Sequence, residues 1–384
     1  MTAELRGTTW DHPRGYAPLD TLARLDARSG PRGPYPYEAV RRPLRWERRP
    51  LEDFESRPLA TLTADYDVLV VDHVGLGTAV ADGCLLPMDE LFAGSELAAW
   101  RDGTVGASYD SYVVDGRAWA LPVDATAQVA AARRDLASAL PGTWAEVREL
   151  ARSLPVALCL GGPHAFLTFC ALCVAQGAEP FRYEGAVVPP DAGEAALDTM
   201  AELVARCDSE VWRHGPAGLL EALAAGDGPA YCPLVHGYVT YAGDLRYADA
   251  PAWEPGGRPG SVLGGAGLAV SRPRAADPAV RDAIRGHLRR LCSPAVQRDL
   301  YPAAGGQPAA RSTWTDAEAS ALSGGFYRAT LATIEVAWVR PATAGYVPFQ
   351  DAASRLLRDG AADRVPPRRL LHDLDTLYRS WRCP

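Results

Sequence analysis

One run limits the fold more than any other. Tyr66-Asp67-Val68-Leu69-Val70-Val71-Asp72-His73 carries four consecutive apolar, mostly β-branched residues with no polar alternation. A strand with one wet face alternates apolar and polar side chains. A continuous apolar run marks a strand covered on both faces, as in a parallel sheet between two layers of helices. Polar residues then return at the end of the run, at Asp72 and His73.

The start of the chain repeats this layout. Residues 5–10 are short and β-tolerant, Asp11-His12-Pro13-Arg14-Gly15 makes a turn, and Leu19, Leu22 and Leu25 follow at helical spacing. In open α/β sheets ligands sit outside the carboxyl ends of the strands. Trp10, Asp11, His12 and Arg14 at one strand end, and Asp72 and His73 at another, are therefore candidate site residues. Trp10 would stack on a small polar molecule, the imidazoles would exchange protons with it, and Arg14 would anchor a carboxylate. The plainer alternative is a Pro-Gly turn with solvated charges and Trp10 packed in the core.

Between these points the pattern predicts a strand over 44–48 and a helix over 51–64. It predicts a hairpin within 109–122 that turns at Asp115-Gly116, and a strand over 123–129. Thr143 and Glu146 are spaced as a capping box at a helix start. Residues 156–160 read as a short strand ending in Gly161-Gly162-Pro163-His164, 264–270 as a Gly-rich strand, and 278–291 as a basic amphipathic helix.

Bulk properties exclude several functions. A chain of 384 residues suggests about two domains. Its net charge of -8 argues against nucleic acid as a partner, and no apolar run is long enough for membrane insertion. There is no lysine, so a Walker-type phosphate loop, a pyridoxal-phosphate aldimine and lysine Schiff-base chemistry are all ruled out. Gly75-Leu76-Gly77 lacks the third glycine and the downstream acid of a dinucleotide fingerprint. The expectation is that the chain uses no cofactor. Cys170 and Cys173 have redox spacing but sit in an apolar helical run, where a buried structural pair is the better reading. The start of the chain shows neither an apolar signal core nor a small-residue cleavage site. From this a cytoplasmic location is expected.

Taken together, Trp10-Asp11-His12, residues 66–73, 83–89 and the hairpin 109–124 resemble the bacterial extracellular solute-binding proteins of the sugar-binding, maltose-binding-like type. Thr143-Trp144-Ala145-Glu146, 264–270, 293–297 and 305–309 extend the resemblance over nearly the whole chain. It implies a two-lobed, periplasmic-binding-protein-like α/β fold holding a small-molecule ligand, sugar-like or carboxylate, in a cleft. Lobe 1 would take residues 1–122 and 262–312, and lobe 2 residues 123–261 and 313–384. Carried over by type and place, Trp10, Tyr109, Asp124, Tyr238 and Tyr241 would line the ligand. The departure from the family is the missing export signal, so a transporter partner is not expected and recruitment of the fold to another task is.

Seven histidines raise a rival reading. His12, His73, His164 and His236 fall on segments that the resemblance would direct at the ligand, and imidazole suits proton transfer near neutral pH. The alternative is therefore a cofactor-independent acid-base enzyme, a lyase, dehydratase, cyclase or isomerase, with His12 or His73 as acid or base and Asp11 or Asp72 orienting it. Neighbouring residues on a strand point to opposite faces, so pairing of Asp11 with His73 across strands is expected over pairing of Asp72 with His73. No local spacing supports a metal site. In this reading His12→Ala abolishes ligand handling without unfolding the chain.

Overall fold

A computed structural model describes residues 4–29, 42–51, 57–136, 139–226 and 228–382. The chain divides into two compact units. Unit 1 comprises Met1–Ala125, Gly264–Tyr327 and Arg340–Val347; unit 2 comprises Thr126–Leu263, Arg328–Val339 and Pro348–Pro384. The tail from residue 313, expected wholly in lobe 2, is shared: 313–327 and 340–347 belong to unit 1 and the rest to unit 2.

The chain enters unit 1 through β1 (Leu5–Trp10), α1 (Pro13–Ser29), β2 (Leu44–Arg49), β3 (Val68–Val71), α2 (Leu76–Ala81) and β4 (Leu85–Leu86). Next come α3 (Gly94–Gly103), the hairpin β5 (Val113–Val114) and β6 (Arg117–Ala118), and the long strand β7 (Ala120–Arg133). β1 pairs parallel with both β2 and β3. All four residues of β3 are fully buried. Val68 and Val70 join a core with Leu19, Leu22 and the helix that follows the last strand, whereas Leu69 and Val71 join another with Leu76 and Ala79 of α2. The uninterrupted apolar run thus fills both faces of the sheet, as its composition requires. The hairpin turns on Asp115 (φ 51°) and Gly116 (φ 76°), two consecutive positive φ values as in a type I′ turn.

β7 carries the chain into unit 2, where α4 (Trp144–Leu150), α5 (His164–Ala175), α6 (Pro190–Val204), α7 (Pro216–Ala225), β8 (Tyr231–His236) and β9 (Leu245–Ala248) follow. β7 pairs antiparallel with both β8 and β9. The capping box forms: Thr143 Oγ1 accepts the Glu146 N–H, and the Glu146 carboxylate accepts the Thr143 N–H. Every residue of α5 is buried, as expected of a helix that is apolar all round. Cys170 and Cys173 lie buried within it and are not joined in a disulfide. Phe166 of α5 packs in an aromatic cluster with Phe181 and Phe349, and Phe349 stacks in turn on Trp381.

β10 (Leu263–Ser271) returns to unit 1, pairs antiparallel with β3, and leads into α8 (Pro278–Leu291). Two expectations need correction. Residues 156–160 form no strand but a single bridge, Val156 to Tyr231, followed by extended chain. Of the helix expected over 51–64, residues 52–56 lie outside the described set; the part beyond them holds only a 3-10 turn, Leu59–Thr61, because Pro58 at its start interrupts the backbone hydrogen bonds. Among the described residues no helix is long and apolar enough to cross a membrane.

The returning segment 340–347 sits against α2. A methyl group on Gly77 would lie 2.2 Å from the Ala342 carbonyl oxygen, a rigid backbone atom. Gly77→Ala is expected to destabilise the protein by about 1–3 kcal/mol, the usual cost of overpacking. Urea denaturation checks this; an unchanged midpoint would show that the segment does not pack there.

Candidate functional site

The three parallel strands of unit 1 deliver polar side chains at their carboxyl ends. After β1, the backbone closes tightly: the Gly15 and Tyr16 N–H groups donate to the His12 carbonyl, and Pro13 opens α1. His12 Nδ1 accepts the Arg14 N–H at 3.1 Å, so the imidazole acts as an N-terminal cap of α1. Burial, then the neighbouring Arg14, lowers its pKa to about 4. His12 is therefore a neutral structural group at pH 7. Trp10 is 4% exposed in the core of unit 1, with its indole lying over Gly15, where a methyl group would come within 2.3 Å of the ring. That is the plainer of the two readings of this stretch. Asp11 points outward at 59% exposure, 3.7 Å from Arg48.

Arg14 is buried and engages Asp124. Its Nε donates to Asp124 Oδ2 at 3.0 Å, and a terminal nitrogen donates to Oδ1. Two of the donors expected to anchor a ligand carboxylate are thus held by a carboxylate of the chain itself. Burial pushes the Asp124 pKa up, with the attraction of Arg14 opposing it. Tyr109 belongs to the apolar core.

At the end of β3 the expected pairing is reversed. Asp72 is extended (φ -80°, ψ 144°), but the chain then turns into a 3-10 helix, His73–Gly75. The strand rule of opposite faces fails at this turn. His73 Nδ1 lies 2.9 Å from Asp72 Oδ1, while Asp11 faces Arg48 instead. Asp72 Oδ2 accepts a hydrogen bond from Arg340 at 2.7 Å, and both side chains are buried. Burial raises the Asp72 pKa, but Arg340 and His73 together outweigh it and hold the carboxyl below its usual range. Burial keeps the His73 pKa below its usual value despite Asp72. The result is an ionised Asp72 beside a neutral His73.

The His73 ring lies between the Asp72 carboxylate and the Arg340 main chain, and hydrogen bonds with both raise its basicity against the effect of burial. Tyr112 packs edge-on to His73, with ring centres 6.2 Å apart. Asp72, Asp124, Arg340 and Arg14 all act on its buried hydroxyl, so Tyr112 lies within range of both ion pairs.

Unit 2 has its own polar set. His164 opens α5 and His236 ends β8; their rings are 5.5 Å apart and both are buried. Gln128 is the register partner of His236 across the β7–β8 pair. Directly opposite residues in an antiparallel pair share a face. Neither the amide nitrogen nor the oxygen of the Gln128 side chain has a partner among the described residues. Tyr238 and Tyr241 lie beyond β8 with ring centres 6.4 Å apart, and the Tyr241 hydroxyl donates to Glu221 at 3.1 Å. No group of three metal-ligating side chains occurs among the described residues.

Sequence reasoning missed Arg340, Tyr112, Arg49 and Gln128. Arg340 joins Asp72 from 268 positions away, and no local pattern announces it. Arg49, buried at the end of β2, donates to Thr8 Oγ1 at 2.9 Å. Gln128 did leave a signal. Asp124, Thr126 and Gln128 place polar side chains at alternate positions of a strand made otherwise of small apolar residues, and all three are buried.

No protein-family model and no curated protein matches the chain. Solved structures do. Maltose-bound MalE3 of T. maritima is 19% identical and superposes with a TM-score of 0.78, covering 97% of this chain and 98% of its own. The fold is that of the solute-binding proteins of ABC transporters. A solute-binding protein of Agrobacterium radiobacter K84 in complex with ribitol matches with a TM-score of 0.78 at 19% identity, covering 98% of each chain. Another from Agrobacterium vitis S4, with bound D-mannitol, has a TM-score of 0.72 at 17% identity and covers 99% of each chain.

Two outcomes test the unit 1 geometry of this solute-binding fold. Arg340→Met leaves an ionised, buried Asp72 and is expected to destabilise by about 3–5 kcal/mol, with much of the loss recovered when Asp72 is made apolar as well; a double-mutant cycle in urea measures both. His12 titrates at 6.5 when unfolded and at about 4 when folded. Between those values the unfolded chain binds more protons, so stability falls as pH falls. His12→Asn retains a capping acceptor and removes this titration, so its urea midpoint should drop less than that of the wild type between pH 7 and pH 4.5.

Proposed function

We propose that the protein binds a small, neutral, polyhydroxylated solute, a sugar or polyol, and that the Asp72–His73 group of unit 1 is part of its binding site. The observation that carries this is the buried, ionised carboxylate of Asp72, held beside a neutral imidazole at the carboxyl end of β3. An ionised carboxylate oxygen only accepts. Hydroxyl groups donate to it, whereas a carboxylate ligand brings a like charge and no proton. Solved neighbours of the same fold hold maltose, ribitol and D-mannitol, which agrees with this class. Within unit 2, the resemblance of the chain to that fold assigns His164, His236, Tyr238 and Tyr241 to ligand contact. Location in the cytoplasm is part of the proposal, and the seven described cysteines, none joined in a disulfide, suit a reducing compartment.

A second reading has its own observation in favour. An imidazole held against a carboxylate is also the arrangement of an acid-base catalyst. Burial lowers the basicity of His73, which weighs towards binding.

Isothermal titration against maltose, ribitol and mannitol, with small carboxylates in parallel, tests the proposal. At least one hydroxylated solute should bind, and His73→Ala and Asp72→Asn should each weaken it tenfold or more. Preference for the carboxylates, or unchanged affinity in both variants, would overturn it. Conversion of the bound solute by the wild type, followed by NMR and lost in His73→Ala, would favour the enzyme.

A further inference from the structure

Apart from the strand-end group, unit 1 holds a half-open cavity of about 580 Å³, walled by α3, the first residues of β7 and the stretch 309–312. That volume falls in the range of about 300–1,000 Å³ typical of small-molecule sites. Its wall is apolar: Trp100, Leu121, Pro122, Ala309 and Ala310 face it. Trp100 packs edge-to-face on Phe92, ring centres 4.8 Å apart.

The polar groups on this wall are largely committed. Gln297 is buried; its Nε2 donates to the Val123 and Leu291 carbonyls, and its Oε1 accepts the Ala309 and Ala310 N–H groups. The Thr104 and Thr315 hydroxyls donate to main-chain carbonyls of their own helices. Asp102 and Arg311 line the cavity with one charge of each sign, so it favours no net charge. A wall that is mostly apolar, with its buried Gln297 already satisfied, offers an incoming molecule chiefly contact area.

We propose that unit 1 carries a second binding site in this cavity, for a compact, neutral, apolar molecule containing a ring that packs against Trp100. This is the opposite chemistry to the hydroxyl-rich solute assigned to Asp72 and His73, so the two sites do not compete for one ligand class. The cavity lies beside Val123 and residues 309–310, which Gln297 ties together.

The test uses the full chain and the neutral probe N-phenyl-1-naphthylamine, whose fluorescence rises on leaving water. The wild type should show saturable enhancement at one probe per chain. Ala310→Trp, which fills the cavity, should weaken binding tenfold or more, and Ala99→Trp, at an exposed position of α3 on the cavity edge, should weaken it also and decides the matter if Ala310→Trp does not fold. His73→Ala should leave the probe affinity unchanged. No saturable enhancement, unchanged affinity in the folded cavity variants, or loss of probe binding in His73→Ala would each overturn the second site.

Discussion

A strand covered on both faces has no place along its length for a polar side chain. β3 meets this condition completely, with Val68 and Val70 in one core and Leu69 and Val71 in another. The polar residues next to it are therefore confined to its two ends, Asp67 before it and Asp72 and His73 after it. The sheet direction then decides which groups meet: Arg14 follows β1, Arg49 ends β2, and Asp72 and His73 follow β3. Along β3, the packing that excludes polarity from the strand gathers it at the carboxyl end, where Asp72 and His73 lie.

Confinement has an electrostatic consequence. Arg14–Asp124 and Arg340–Asp72 are both buried pairs, and moving four charges out of water costs several kcal/mol for each ion. Their mutual attraction offsets that cost without a large surplus, so apolar burial, not ion pairing, is the main source of stability in unit 1. What the pairs contribute is position. Arg340 holds Asp72 ionised, and Asp72 lies against the neighbouring imidazole.

Legibility followed the range of the interactions involved. The buried strand, the Asp115-Gly116 turn and the Thr143–Glu146 capping box depend on contacts within a few residues, and each was readable. The error at Asp72–His73 had a local cause: alternation was extended one residue past the strand, into a 3-10 turn where it no longer holds. Trp10 was ambiguous because an aromatic residue at a strand end suits a stacking plate and a core position equally; Gly15 below its ring settles it for the core.

The sequence by itself determined the class of fold, because periodicity and turn chemistry are local and a doubly buried strand calls for helices on both sides. It also determined which polar residues would gather at the strand ends. Only the tertiary structure decided their partners. Arg340 reaches Asp72 across 268 positions, Asp124 meets Arg14 across 110, and Gln128 faces His236 through strand register. Such pairings follow from where the whole chain returns to the sheet, which no window of sequence contains.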